Sequence, residues 1–263
     1  MCLILFSYRQ YKKWPLVIAA NRDEFHSRPS DTADFWEDAP SILAGRDQLH
    51  RGTWLGVDRY GRFSAVTNYQ DPSFDKRNKL SRGNLVSNFL LGNKSAEHYL
   101  HEVKQHCHLY NGFNLLATDE SGLFYLSSST GELTSLPPGL YGISNDLIDS
   151  AWPKLEKGKA QLEKILSDNY VSSDKILELL SDTTEFPDNS LTDAGTNLKR
   201  EQIFSPIFIR GQDYGTRCST VAIINSDGKV RFTERTFNKE GRETHTETYD
   251  FMIDITKREE YAR

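Results

Sequence analysis

The sequence predicts an α+β fold, a four-layer αββα sandwich with two face-to-face sheets and outer helix pairs, in one domain spanning residues 1–263. Three observations predict it. The elements run strands, two helices, strands, two helices, strands, which segregates helix pairs between antiparallel hairpins instead of alternating single strands with helices. Cys2-Leu3-Ile4-Leu5-Phe6 and Leu16-Val17-Ile18-Ala19-Ala20 are apolar on both parities, as strands covered on both faces are. Turn chemistry such as Asp227-Gly228 separates strand runs at hairpin spacing.

The elements follow in order. Residues 2–8 and 15–21 read as strands joined by a polar turn, and residues 22–40, with Pro29 and Pro40, read as a loop. Short strands near Thr53–Val57 and Arg62–Asn68 flank the turn Asp58-Arg59-Tyr60-Gly61. Ser81 is expected to cap a helix through Leu91, and Ser95 a second through about Gln105. Strands resume at Phe113–Thr118, Leu123–Ser127 and Leu133–Leu136. Pro153 then opens a helix to about Leu166, and Ser173 or Asp174 opens another through Leu180. Residues 182–199 are polar and turn-rich, a long surface loop. Strands near Thr220–Asn225, Val230–Phe237 and Thr246–Ile255 close the chain.

Composition narrows the function. Acidic residues outnumber basic ones 37 to 32, for a net charge of −5, which leaves no basic footprint for nucleic acid. Cys2, Cys107 and Cys218 are an odd, widely spaced set that fits a reducing compartment better than a disulfide framework. The first residues form a short apolar run without a basic leader, a strand pattern and not a secretory signal. With no segment suited to span a membrane, the expected location is cytoplasmic.

Cys2 is the first candidate for chemistry. Removal of Met1 would leave one residue carrying both a thiol and an α-amine. An α-amine titrating near pH 8 is a usable general base at neutral pH, and amine-activated nucleophiles serve amide chemistry. Alternatively, Cys2 is a small apolar core residue, as free cysteines often are. Asn21-Arg22-Asp23-Glu24 stands at the end of the second apolar strand, where three charges are costly unless they pair or work. A hairpin of the first two strands would bring Cys2 beside this cluster. Asp23 could then hold the α-amine while Arg22 lowers the thiol pKa. A solvated salt-bridge pair is the plainer alternative.

These residues resemble the NRDE family, named after that tetrapeptide. Met1-Cys2-Leu3-Ile4, Ala19 to Phe25 and Phe35-Trp36 carry the likeness. It continues through Leu43 to Asp47, Gly52 to Val57, Ala65 to Tyr69, Tyr110 to Leu116, Tyr141 to Asn145, Trp152-Pro153-Lys154, Tyr214 to Arg217 and Ser219 to Val221. The resemblance implies links to Golgi organisation, secretion, lipid homeostasis and haem mobilisation. More distantly, the pattern is similar to N-terminal nucleophile hydrolases of the cholylglycine hydrolase and penicillin V acylase group, which are αββα sandwiches with a mature N-terminal Cys. That similarity implies Cys2 as nucleophile, Asp23 as the amine-holding acid, Asn68 and Asn145 as oxyanion or nucleophile support, and Arg217 as a late Arg near the thiol. One departure stands out. The strand-2 Arg of that group falls three residues before the Asp, where this chain has Ala20, and Arg22 is the nearest substitute.

Two function classes remain on this reading. One is an amide or thioester acyl hydrolase or acyltransferase centred on Cys2. The other is a non-enzymatic carrier or trafficking factor for a small amphipathic ligand, acyl lipid or haem. Asn21, Trp54, Tyr69 and Tyr141 are candidates to contact that ligand, although core packing is the commoner fate of such aromatics. No metal or cofactor is expected. His98, His101, His106, Cys107 and His108 cluster in sequence, but they read as a solvated helix face. Homo-oligomerisation is left open.

Overall fold

The computed structural model describes residues 2–69, 79–168, 170–186 and 205–256. The expected loop at 182–199 lies outside them from residue 187 on, as does position 1. The chain forms two compact units, each an antiparallel sheet with a helix pair.

The first unit holds a six-stranded sheet. Its strands β1 (Cys2–Tyr11) and β2 (Trp14–Phe25) form the expected hairpin, with Cys2 opposite Arg22, Ile4 opposite Ala20 and Phe6 opposite Ile18. Alternation splits the hairpin by face. Leu3, Leu5, Val17 and Ala19 pack into a cluster with leucines of two helices at 153–166 and 173–180. Ile4, Phe6, Ile18 and Ala20 point the other way and are also buried, which explains an apolar pattern without period.

The second unit holds a seven-stranded meander. β3 (Ser30–Trp36) and β4 (Ala39–Asp47) open it, and β5 (Leu55–Asp58) and β6 (Phe63–Asn68) follow. Helices α1 (Gly83–Leu91) and α2 (Ala96–Gln105) come next, then β7 (Phe113–Thr118), β8 (Leu123–Ser127) and β9 (Leu133–Ser135). Phe89, Leu90, Leu100 and Val103 of the helices pack with Val66, Leu115 and Leu126 of the sheet.

The first unit is then completed by β10 (Gly139–Ile143), α3 (Pro153–Leu166), α4 (Ser173–Leu180), β11 (Tyr214–Ile224), β12 (Lys229–Phe237) and β13 (Glu243–Met252). Its strand order is β10-β1-β2-β11-β12-β13. Gly61 and Gly228 take positive φ in the two turns read from sequence.

Four expectations are corrected. Residues 22–40 are mostly strand. Pro29 precedes β3 and Pro40 sits near the start of β4, where a proline costs little of the ladder. Register shifts within the β3–β4 pair break the period-2 signal that would have revealed it. β10, short and glycine-containing, was not anticipated. β11 starts at Tyr214, six residues before the expected Thr220, because the polar Thr216 and Ser219 are buried and bonded to β2. Arg82, not Ser81, precedes α1 and no side chain caps it. That helix start is set by close approach instead, since a Cβ on Gly52 would lie 2.7 Å from the Gly83 carbonyl carbon. Ser95 does cap α2, and Ser172 caps α4. No helix among the described residues is long and apolar enough to cross a membrane.

Candidate active site

The site is built where β1 begins and β2 ends. Cys2 is 8 % exposed and faces Arg22 across the hairpin, as the sequence implied. The backbone N–H of Asp23 donates to the Cys2 sulfur. On the other side of β1, β10 runs antiparallel with Ile143 opposite Ile4, which carries the chain to Ser144 and Asn145 beside Cys2. The Ser144 hydroxyl donates to the Cys2 carbonyl at 3.2 Å and lies 3.3 Å from Asn145 Oδ1. Asn145 is itself buried.

The tetrapeptide at the end of β2 divides by parity. Asn21 and Asp23 lie on the face that carries the helices; Arg22 and Glu24 lie on the opposite one. Asn21 is saturated. Its amide donates to the carbonyls of Leu180 and Ile207, both at 2.8 Å, and accepts from the Ser219 hydroxyl at 2.6 Å. It stitches β2 to the end of α4, to the segment before β11, and to β11. Asp23 is held by β11, whose Thr216 hydroxyl donates to Oδ1 at 2.7 Å while the Tyr214 hydroxyl donates to the Asp23 carbonyl at 2.7 Å. Arg22 reaches Glu24 at 3.9 Å, so the plain strand-end pair exists, with the Asp23 cluster behind it.

Lys154 was missing from the sequence-derived site. It lies in the first turn of α3, directly after Pro153, and is fully buried. Burial pushes its ammonium down to about 8, against the pull of Asp23 and Cys2. Asp23 is raised by burial to about 6, with the charge of the amino terminus, the Thr216 hydroxyl, Lys154 and Arg22, in that order, acting to lower it. Burial also pushes the Cys2 thiol above its ordinary value, with Asp23 adding to the rise and Arg22 opposing it. The signal for Lys154 was available in the sequence. A lysine beside a helix-opening proline stands at the positive end of the helix dipole, where a cation is disfavoured.

The other expected residues are placed as follows. Arg217 is half-buried on β11, and its Nη1 donates to the carbonyls of Phe25, His26 and Arg28 at 2.9, 3.3 and 3.1 Å, clamping the loop after β2. Tyr141 stacks on Phe6, four residues along β1 from Cys2, roughly 13 Å of strand. Asn68, Trp54 and Tyr69 belong to the second unit. Asn68 ends β6 opposite Phe113, Trp54 packs on that unit's core, and the Tyr69 amide donates to Gly112 at 2.9 Å. Cys218 is buried, its thiol raised by burial and by Glu234. The histidines on and just after α2 lie at the surface, His98 bonding Glu102 at 3.2 Å and His106 the Glu102 carbonyl at 2.9 Å. Among the described residues no group of three or more His, Cys, Asp or Glu could hold a metal ion. Beyond the end of β2 lies an open cavity of about 760 Å³, lined by Phe25, His26, Asp213 and Lys239 among others.

The family model for Transport and Golgi organisation 2 matches residues 1–239. The chain belongs to that family. A human relative, Transport and Golgi organization protein 2 homolog, is 36 % identical over 96 % of this chain and 99 % of its own length. The Drosophila melanogaster Transport and Golgi organization protein 2 is 27 % identical over 94 % and 95 %. Among solved structures, the Caenorhabditis elegans ortholog of N-acylethanolamine-hydrolyzing acid amidase aligns with a TM-score of 0.50 at 10 % identity, covering 84 % of this chain and 92 % of that one. A mutant C2A conjugated bile acid hydrolase from Clostridium perfringens aligns at 0.47 and 11 % identity, covering 95 % and 97 %. The amidase likeness shows the fold, the α+β sandwich of N-terminal nucleophile hydrolases. Family membership and fold class both stand as the sequence implied.

Proposed function

We propose that this family member is an N-terminal-cysteine acyl hydrolase or acyltransferase, acting on a linear amide or thioester bond. One observation carries the reading: a buried thiol shares its sheet end with three buried ionisable groups, Arg22, Asp23 and Lys154. Groups so costly to desolvate, Asp23 and Lys154 also shifted in titration, gather where chemistry is done. The amidase of like fold cleaves an acyl amide, and the proposal extends that class of reaction to this chain.

In this reading Met1 is removed and the Cys2 α-amine becomes the base. The thiol is protonated at rest, because burial disfavours the thiolate. Its proton passes to the α-amine as Sγ attacks the acyl carbon. It then passes to the departing amine or thiol as the tetrahedral adduct collapses, leaving a thioester on Cys2. Water or a second acceptor releases the acyl group. Asp23 orients the amine, and Asn145 supplies an oxyanion donor. Arg22 offsets the negative charge of the thiolate, and Arg217 holds the loop that borders the open cavity.

The test is intact-protein mass spectrometry after incubation with a long-chain acyl thioester and, separately, an N-acyl amide. A chain lacking Met1 that gains one acyl mass on Cys2, lost in Cys2→Ala, supports the reading. Retained Met1 with no adduct contradicts it. The cavity supports a second reading, carriage of an amphipathic ligand in the cytoplasm linked to Golgi organisation and secretion. That reading requires acyl-lipid or haem binding without turnover, unchanged in Cys2→Ala.

A further inference from the structure

Arg22 is buried and yet spends none of its donors on the described chain. It is 9 % exposed, and its guanidinium makes no hydrogen bond to any described residue. Its ion pair with Glu24 is loose, Nη2 standing 3.9 Å from Oε2. Arg62 shows what the same side chain does where it serves structure. It donates to Asp58 and to the carbonyls of Phe89, Leu90 and Gly92. A guanidinium taken out of water without such partners is costly to keep.

The groups around Arg22 do not supply the partner. Asp23 points to the helix-bearing face, where Thr216 binds it, and Arg22 points to the other. Cys2 stands directly opposite Arg22 and shares its face, but burial keeps the thiol protonated at rest. Cys218, on the adjoining strand β11, is buried and its thiol is raised as well. Glu24 is divided. Its Oε1 accepts the Phe25 amide at 2.9 Å, and its Oε2 lies as close to Arg28 Nε, at 3.8 Å, as to Arg22.

Position says what the free fork can take. Residues directly opposed on an antiparallel pair hold their Cβ atoms roughly 5 Å apart on one face. An acyl group bonded to the Cys2 sulfur is therefore within reach of Arg22. The guanidinium offers two parallel N–H donors, which match a carboxylate. Phosphate sites commonly add the backbone N–H groups of a helix start or a glycine-rich turn, whereas Arg22 stands within a strand.

We propose that Arg22 is a specificity residue that binds a carboxylate on the acyl part of the substrate. The substrate class is then a monoamide or monothioester of a short dicarboxylic acid. The proposal rests on the Cys2 reading above and names its substrate class. A carboxylate so placed keeps its contact through both halves of the reaction, because the acyl part stays on sulfur until release. One on the leaving group would depart after the first half.

The test is calorimetric binding to the full chain at pH 7.5. The probes are N-hexylsuccinamic acid and its neutral isostere N-hexylsuccinamide. The acid is expected to bind at least about tenfold tighter than the diamide, and in Arg22→Gln the two should agree within about twofold. In Glu24→Gln, which removes the competing acid, the acid probe should tighten at least about threefold while the diamide stays unchanged. The wild-type and Glu24→Gln arms leave residue 22 intact and stand if Arg22→Gln fails to fold. Equal affinity for both probes in wild type, binding of neither, or a preference that survives in folded Arg22→Gln overturns the proposal. So does tighter binding of N-hexanoylglycine, whose carboxylate is on the amine side, or of inorganic phosphate. An Arg22-dependent preference in a protein whose Cys2 never takes an acyl group supports the carboxylate site and removes the enzyme reading. Cys2 acylated equally well by succinyl and butyryl thioesters keeps the enzyme reading and overturns this one.

Discussion

Two buried ion clusters, one in each unit, are equally dry and are built to opposite ends. In the second unit Asp58 is 0 % and Arg62 4 % exposed; in the first, Asp23 is 3 % and Lys154 2 %. Asp58 and Arg62 meet at 2.6 Å, and the carboxylate also accepts the amides of Tyr60 and Arg62 at 2.9 Å. The guanidinium gives three further donors to the carbonyls of Phe89, Leu90 and Gly92, which ends α1 against the β5–β6 turn. Arginine cannot give up its proton, so that pair is a fixed brace. In the first unit the cation is a lysine, whose proton burial makes removable near pH 8. Burial alone does not separate structure from function.

The largest expected effect falls on the brace. Arg62→Met strands Asp58 and frees three carbonyls, and should cost about 3–5 kcal/mol, read as a lower urea midpoint. A small loss would show that the brace is no stronger than a surface pair. Next comes Asn21, in the first unit but saturated like Arg62. Asn21→Ala abandons two buried carbonyls and the Ser219 hydroxyl and should cost at least about 2 kcal/mol.

The double variant Asp23→Asn/Lys154→Met sharpens the contrast further. It should be as stable as wild type or more so by about 1 kcal/mol, because replacing two buried ionisable groups removes two desolvation costs at once. Its advantage should depend on pH. Asp23 titrates near 6 in the native state against an ordinary 3.8, so its favourable contribution is complete at low pH and lost as pH rises through about 6. Lys154 titrates near 8 against 10.5, so its penalty is present at neutral pH and fades as pH rises from 8 toward 10.5. The advantage should therefore peak between pH 6 and 8. A flat profile would make this cluster a brace like the other. The smallest effect is at the surface, where Lys94→Ala breaks an exposed pair with Glu102 and should change stability by less than about 0.5 kcal/mol.

Much of this was legible in the sequence, and the failures have physical causes. Strands buried on both faces advertised themselves by unbroken apolar runs, and Cys2 with Asn21–Glu24 announced a hairpin end. β3 and β4 hid behind prolines and irregular register, and β11 behind hydroxyls that side-chain bonds make welcome in the interior. The site was read as far as strand neighbours allowed. Lys154 escaped because it arrives from a helix distant in sequence, and Asn21 looked available because its three partners, on α4, at Ile207 and on β11, are equally distant.

The central claim is that a sulfur at the chain's beginning performs acyl transfer. Its most direct test is the mass of Cys2-containing peptide after brief exposure to an acyl thioester at pH 7. The account predicts a single acyl group on Cys2, absent from Cys107 and Cys218 and sharply reduced in Asp23→Asn. Equal, slow modification of all three cysteines, or none on Cys2, would contradict it.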